Sequence, residues 1–441
     1  MMTTNKPAES GIHAKADKRA ESEGRGKSLG IYVHIPFCIK KCKYCDFLSF
    51  GDQPAFVHKV YTKALVSEIK NHGSRCGGMY FVDSVFIGGG TPSILLPSMV
   101  GDIMAEIKSG FRVSPDAEIS MEANPGTLTE AKLEGYMESG INRISIGAQS
   151  FNDFLLRGMG RLHFGEDTVK GFKAARNAGF KNINLDLMFA VPGQDMDMWR
   201  DSLEKAAGLG PEHISFYSLQ IEKGTEFYSM FETGPYEKVS ENLDRRMYRF
   251  ALELLKDAGY GHYEISNAAL PGYECRHNIK YWTMEDYLGV GVGAHSYMDG
   301  VRFGNIRDME KYTDIHLGRR DSVGTGQVRP AGFPADLPGH GDMWKSGHNP
   351  LYESVHKNSV NDEISEYMFT GLRLTGGVSL YDFEERFGRP LREVYAKEWP
   401  SIEKHMKDGA LIRYGGRLRL SESGMDISNR IMSEFILSRT P

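Results

Sequence analysis

From Gly30 onward, short runs of apolar, β-favouring residues alternate with longer stretches in which apolar positions recur every three or four residues. The short runs are Gly30–Ile35, Val82–Gly88, Glu118–Glu122, Arg143–Gly147, Asn182–Phe189 and His213–Leu219. Between them lie Ala55–Asn71, Pro97–Ser109, Thr129–Ser139, Gly165–Asn177 and Met196–Gly208. Six strands joined by five amphipathic helices predict βαβ crossovers and a parallel sheet. Gly140 and Gly179 stand where helices should stop. Periodicity alone does not separate an open sheet from a barrel, but the placement of special residues does. Cys38, the glycines at 88–90, Glu122, Gln149, Asp186 and Ser218 each fall at or just beyond the C-terminal end of a different strand. Those ends converge on one mouth in a β/α barrel, whereas an open sheet gathers its ligand at one switch point. The expectation is a six-stranded partial (β/α) barrel of the TIM type over residues 30–235.

Beyond residue 235 the pattern changes to one long helix, Ser240–Ala258, and then a segment dense in Gly, Tyr and His that runs to residue 317. Residues 318–355 are rich in Pro and Gly and poor in periodic apolar positions, which predicts an inserted loop, either a lid or a disordered stretch. From 356 to 441, helical patterns precede two short strands around Gly415-Gly416, which suggests a small winged-helix-like α+β domain. The first 29 residues are polar and unpatterned and read as a disordered tail.

At 441 residues and 40% hydrophobic content, the chain can bury a barrel-sized core and a smaller one. Its 53 basic and 58 acidic residues leave a net charge of −5, with no overall attraction for nucleic acid or an anionic membrane. No apolar stretch reads as a signal or a membrane span, so the expected setting is the cytoplasm.

Three of the five cysteines, Cys38, Cys42 and Cys45, fall within one short run, Tyr32-Val-His-Ile-Pro-Phe-Cys-Ile-Lys-Lys-Cys-Lys-Tyr-Cys-Asp-Phe47. The spacing C-x3-C-x2-C suits a [4Fe–4S] cluster, whose irons each take one outside ligand, usually thiolate. Three thiolates leave one iron open to a substrate. A zinc knuckle is the alternative, but structural zinc takes four ligands, commonly from paired cysteines or histidines, and no second pair follows. Parity and setting both count against a disulfide.

Taken with Gly88-Gly89-Gly90-Thr91-Pro92 after the second strand, the triplet resembles the radical S-adenosylmethionine (SAM) superfamily. The resemblance implies that the open iron chelates the methionine end of SAM and that one electron cleaves the sulfonium to a 5′-deoxyadenosyl radical. It places Tyr44 near the adenine and Gly89, Gly90 and Thr91 near the SAM amino group, where glycines let the backbone approach. Glu122, Gln149, Arg161 and Asp186 lie in or after apolar strands, where a carboxylate is costly to bury unless paired or bound. Structural ion pairs or capped loops are the alternative, and the less favoured one, for each residue judged alone. The chain also resembles the oxygen-independent coproporphyrinogen III oxidase family, and that likeness implies contact with SAM. The carboxylates would face its ribose hydroxyls and sulfonium, and Arg161 its carboxylate, with Tyr32 in the same set.

A second informative segment is Cys275-Arg-His-Asn-Ile-Lys-Tyr-Trp282. A lone His beside Tyr and Trp is commonly a hydrogen-bonded, partly buried histidine, yet imidazole is also a standard axial ligand of haem iron, and aromatic rings offer flat surface to a porphyrin. The string fits H-N-x-x-Y-W and resembles the motif of the HemW-type haem chaperones, relatives of those oxidases. That likeness implies haem as a ligand, with His277 as its candidate axial residue, and client haemoproteins as partners. It also implies a flavodoxin or ferredoxin as reductant if SAM is cleaved. Cys275 is either a second haem-side ligand or a buried thiol, and Cys76 reads as a free thiol in a loop. Gly289-Val-Gly-Val-Gly-Ala-His295 has the wrong spacing for a dinucleotide fingerprint. The oxidases resemble C-x3-C-x2-C-x-C, whereas this chain carries Phe47 at the fourth position, which favours the chaperone family. An oxidase and a haem-modifying radical SAM enzyme are the alternatives.

Overall fold

The computed structural model describes residues 26–234, 236–319 and 351–437, so the predicted tail up to residue 25 and most of the predicted insertion lie outside the described residues. All six predicted strands form: β1 (Lys27–Ile35), β2 (Tyr80–Gly89), β3 (Arg112–Ala123), β4 (Arg143–Gln149), β5 (Ile183–Phe189) and β6 (His213–Ser218). So do the five helices between them, α1 (Ala55–Cys76), α2 (Pro97–Gly110), α3 (Glu130–Glu138), α4 (Gly165–Ala178) and α5 (Met196–Gly208), and the long helix α6 (Glu241–Asp257). Lys27–Leu29, assigned by pattern to the tail, begin β1.

The main sheet has twelve strands. To those six it adds β7 (Gly261–Glu264), β8 (Asn267–Ala269), β9 (Tyr287–Val290), β10 (His295–Met298), β11 (Val301–Asn305) and β12 (Tyr352–Lys357). Their order is β12-β11-β10-β9-β1-β2-β3-β4-β5-β6-β8-β7. Pairing is parallel from β9 to β6 and antiparallel at both ends. The parallel array therefore has a seventh member, drawn from the glycine-rich run. Tyr352–Lys357, which the pattern divided between the insertion and the terminal domain, is the edge strand beside β11.

The strands are apolar on one face and polar on the other. Ile31, Val33, Val85, Ile87, Ile144, Ile146, Leu185 and Leu187 are fully buried and join the helices in one core. The alternate positions, Tyr32, Phe86, Glu122, Arg143, Ser145, Asp186, Ser215 and Tyr287, line a single cavity. On a flat sheet the six intervals from β9 to β6, at about 4.8 Å each, would hold the outer strands roughly 29 Å apart. A shared cavity thus requires the sheet to roll with its polar face inward. β12 and β7 do not pair with each other, so the barrel is partial.

Helix α7 (Arg276–Thr283) packs against the inner face at the N-terminal ends of the strands. Glu118 of β3 accepts hydrogen bonds from the backbone N–H groups of Arg276 (3.1 Å) and His277 (3.3 Å), placing an anion at the positive end of the helix. Buried Lys280 is held by Asp83 (2.9 Å), Glu285 (2.8 Å) and the Ser28 hydroxyl (2.6 Å). In the terminal domain, helix Val360–Gly371, strand Val378–Ser379, helices Leu380–Phe387 and Trp399–Lys407, and the hairpin Leu411–Tyr414/Arg417–Leu420 follow in winged-helix order. Gly415 and Gly416 both have positive φ, as a two-residue hairpin turn of this hand demands.

A buried carboxylate ties the added strands to the barrel. Glu68 of α1 accepts from Gly291 N (2.7 Å), Asn305 Nδ2 (2.7 Å) and the Tyr312 hydroxyl (2.5 Å). Burial pushes its pKa up, but His72, His316 and Tyr312 more than offset this and hold the carboxyl at about 2. Glu68→Ala should destabilise the apoprotein by about 3 kcal/mol in urea denaturation at pH 7, because three buried donors lose their acceptor. The difference should shrink as the pH falls from about 4.5 towards 2, because over that window the unfolded chain takes up a proton that the folded carboxylate does not accept until about pH 2. Equal urea midpoints at pH 7 would refute the role of this clamp.

Candidate functional site

Past β1 the chain turns out to Cys38, and the loop 39–49 arches over the C-terminal end of the strand before Phe50–Gly51 pairs with Phe37–Cys38. The glycine turn supports it from below. Gly90 N donates to Ile35 O (2.8 Å) and Thr91 N to Phe37 O (2.7 Å). A Cβ on Gly90 would sit 2.6 Å from Phe37 O, so the approach is possible only for glycine. On the far side of the loop, His34 Nε2 contacts Leu48 O (2.9 Å) and His34 Nδ1 the Tyr32 hydroxyl (3.0 Å).

A hydrogen-bonded arc links two of the cysteines. Thr91 Oγ1 donates to Cys38 Sγ (3.6 Å), Asn124 Nδ2 to Thr91 Oγ1 (3.1 Å), Arg161 to the Asn124 side-chain oxygen, and Arg161 Nη1 to Cys42 Sγ (3.6 Å). Arg161 also donates to Gly147 O (2.5 Å), which fixes it beneath the loop. All three thiols are free and half-buried. Burial, then the neighbouring Cys42 and Cys38, pushes Cys45 up to about 11, so without a metal that thiol would be protonated near neutral pH. Iron uptake would release its proton. Among the described residues no three ligating side chains converge on a single-ion site. Three cysteines on one loop, with donors aimed at two of the sulphurs, fit a multi-iron cluster better than one zinc ion.

Below this rim lies a cavity of about 700 Å³. Of the residues singled out for SAM, Tyr32, Gly89, Glu122 and Asp186 line it, whereas Gly90, Thr91 and Arg161 belong to the rim that carries the cysteines. Gln149, with φ +61, accepts a hydrogen bond from the Tyr217 hydroxyl (2.8 Å). Tyr44 packs against the small apolar cluster of Leu155, Leu156, Met159 and Phe227, beside Arg161 and Cys42 of the rim. Asp186 accepts from Ser145 Oγ (2.9 Å) and Asn184 Nδ2 (2.7 Å). Glu122 accepts from Gly89 N (3.0 Å), but burial and then Asp186 push its pKa up to about 8. The pocket thus carries an acidic pair with cationic capacity to spare, suited to hydroxyl donors and a positive group.

Asn124 and His34 were missed, although the alternation of polar residues along β1 and the Asn-Pro pair after β3 could have pointed to them. His277 takes the structural alternative. It is fully buried, with Nδ1 against Ser84 Oγ (2.9 Å), Nε2 against the Tyr281 hydroxyl (2.9 Å), and its ring stacked on Phe86 at 5.5 Å. Burial, helped by Lys280, drops its pKa to about 3. Neither ring nitrogen is open to an iron. Its motif neighbours Asn278, Tyr281 and Trp282 do line the cavity. Cys275 is a buried thiol pushed up to about 12 by burial, with its sulphur on Glu118, and Cys76 is the buried last residue of α1 rather than a loop thiol.

The raised pKa of Glu122 has a cost. Folded protein keeps a proton that the unfolded chain releases between pH 4.5 and 8, so this side chain opposes folding increasingly across that window and fully above it. Glu122→Gln should therefore raise the Tm of the apoprotein, by a margin that widens from about pH 5 to about pH 9. A margin that stays flat with pH would contradict this electrostatic picture.

Comparison with known proteins gives the family. Residues 32–206 match the radical SAM superfamily and residues 358–427 the HemN C-terminal domain. The heme chaperone HemW of Bacillus subtilis is 35% identical over 407 residues, covering 92% of this chain and 98% of that protein. HemW of Lactococcus lactis is 30% identical over 415 residues, with 93% and 98% covered. In three dimensions the chain resembles coproporphyrinogen III oxidase (HemN) of Escherichia coli with a TM-score of 0.76 at 21% identity, over 93% of this chain and 90% of that one, a likeness of fold. Spanning nearly the whole of these relatives, the chain belongs to the HemW family of radical SAM proteins.

Proposed function

We propose that the protein is a haem chaperone: it holds haem in or over the barrel cavity, hands it to client haemoproteins, and keeps a [4Fe–4S] cluster and SAM at the cavity rim. The observation that carries the reading is the shared lining of one cavity. Glu122 and Asp186 occupy one part of it, and Tyr281, Trp282, Tyr287 and Tyr297 form an aromatic wall in another. Its volume lies within the ~300–1,000 Å³ usual for small-molecule and cofactor sites. Family membership supports haem as the cargo, since the relatives are named for it. In this reading Cys38, Cys42 and Cys45 hold the cluster. Tyr32, Tyr44, Gly89, Gly90, Thr91, Glu122, Gln149, Arg161 and Asp186 hold SAM, with Tyr44 on the adenine side of the loop. When bound, the cluster supplies one electron and an open iron for SAM. A flavodoxin or ferredoxin would serve as donor if SAM is cleaved, and the setting is the cytoplasm. No described helix is long and apolar enough to cross a membrane.

Two enzyme readings compete: an oxidase of coproporphyrinogen III and a radical SAM enzyme that modifies the haem ring. Phe47 weighs against the first, because a 63% exposed phenyl ring stands where the oxidases resemble one another in a fourth cysteine. Replacing all three of Cys38, Cys42 and Cys45 by Ser should reduce iron and sulfide to background, and wild-type cluster content would sink the assignment. Reconstituted protein should bind haem and transfer it to an apo-haemoprotein. Anaerobically, with SAM and a reductant, it should leave coproporphyrinogen III unconverted and haem unmodified. Turnover of either would replace the chaperone reading with the corresponding enzyme.

A further inference from the structure

A chaperone must release its cargo, and a ligand walled inside the barrel is poorly placed for that. His277 is so walled, and His34, which lines the cavity, has both ring nitrogens engaged. His295 differs. It opens β10 at the cavity mouth, is exposed, and has no hydrogen bond to its ring among the described residues. Its partner in register on β11 is Gly304. A Cβ on Gly304 would come within 2.8 Å of His295 Cε1 and 2.9 Å of Nδ1, so the glycine leaves a seat for the imidazole that any other residue would fill. Burial and nearby Arg307 hold the imidazole below its usual range, in the neutral form that ligates iron.

The same rim carries the other two features that a haem edge needs. Phe47 is a bare aromatic surface at the mouth. Arg307 is exposed and in no ion pair among the described residues. The two loops meet at Gly293, with φ +67, where an added Cβ would strike Leu48 Cδ2 at 2.5 Å and approach Arg307 Cγ at 3.8 Å. We propose that His295 is the axial ligand that takes haem iron at the cavity mouth, with Phe47 against the macrocycle and Arg307 paired with a propionate. This rests on the haem-carrying reading above. A ring nitrogen gives its lone pair to the iron and displaces a water, with no change of oxidation state.

The test titrates ferric haem anaerobically into cluster-loaded protein, read by difference absorption spectra and by electron paramagnetic resonance of the ferric haem. His295→Ala should weaken binding at least about tenfold and change the iron's spin signature, and added imidazole should restore the wild-type signature. Arg307→Glu should weaken binding about tenfold while keeping that signature. Cluster content and circular dichroism report on the fold, and His295→Gln supplies a second, hydrogen-bonding variant that also lacks the ligand nitrogen. If wild-type protein binds haem and both His295 variants keep its affinity and signature, the assignment of His295 is overturned and the chaperone reading stands. If wild-type protein binds no haem, both fall together.

Discussion

Because both faces of the parallel sheet are covered, its inner row of polar side chains must be satisfied within the protein. Each buried donor or acceptor left alone would cost about 1–3 kcal/mol. The rolled sheet solves this by pairing across strands. Ser145 and Asn184 converge on Asp186, Asn184 meets His213, and His213 meets Tyr263. Glu118 finds its donors in the first turn of α7, which is why that helix sits where it does. What remains unpaired is informative. Arg143 Nε and Trp282 Nε1 are buried without a partner, and both residues line the cavity. The cavity lining thus holds paired groups, Ser145, Asn184 and Asp186, beside these two unpaired ones.

The H-N-x-x-Y-W segment shows how one motif divides its labour by helical geometry. Residues 277 and 281 are one turn apart on α7, so His277 reaches the Tyr281 hydroxyl from below while Tyr281 faces the cavity. Tyr281 packs edge-on against Tyr287 at 4.6 Å, and Trp282 lies under the Arg373 guanidinium at 4.3 Å, which joins the aromatic wall to the start of the terminal domain. His277 positions the surface that its neighbours present. Within one motif, therefore, His277 is packed inward while Asn278, Tyr281 and Trp282 line the cavity.

At the other end of the cavity, the cysteine loop depends on residues that bear no thiol. Asn124 bridges Thr91 and Arg161, each of which donates to a different cysteine sulphur. The loop packs Tyr44 and Leu48 against apolar clusters, and the hydrogen bonds from the strand ends beneath it set the rest of its shape. Its outer side, with Phe47 exposed and Leu48 abutting Gly293, ties it in turn to β9 and β10. The cluster loop and the cavity mouth are in this sense one rim.

The alternation of strands and helices, the hairpin at Gly415-Gly416 and the grouping of thiols were all legible in the sequence. Each depends on residues close together in the chain: a period of two or of about 3.6, a capping glycine, a cysteine spacing. Strand-end placement also sufficed to bring Glu122 and Asp186 to one pocket, since parallel strands carry their C-terminal ends to the same side. Other outcomes were decided by the roll of the sheet. Only through-space packing tells that His277 points into Ser84 and Tyr281 rather than outward, that Asn124 bridges two loops, or that Tyr44 packs on the Leu155 and Phe227 cluster. The same holds for β9 and β12: four and six residues, with too few periods to declare themselves, become strands because an open sheet edge offers their backbones hydrogen-bond partners.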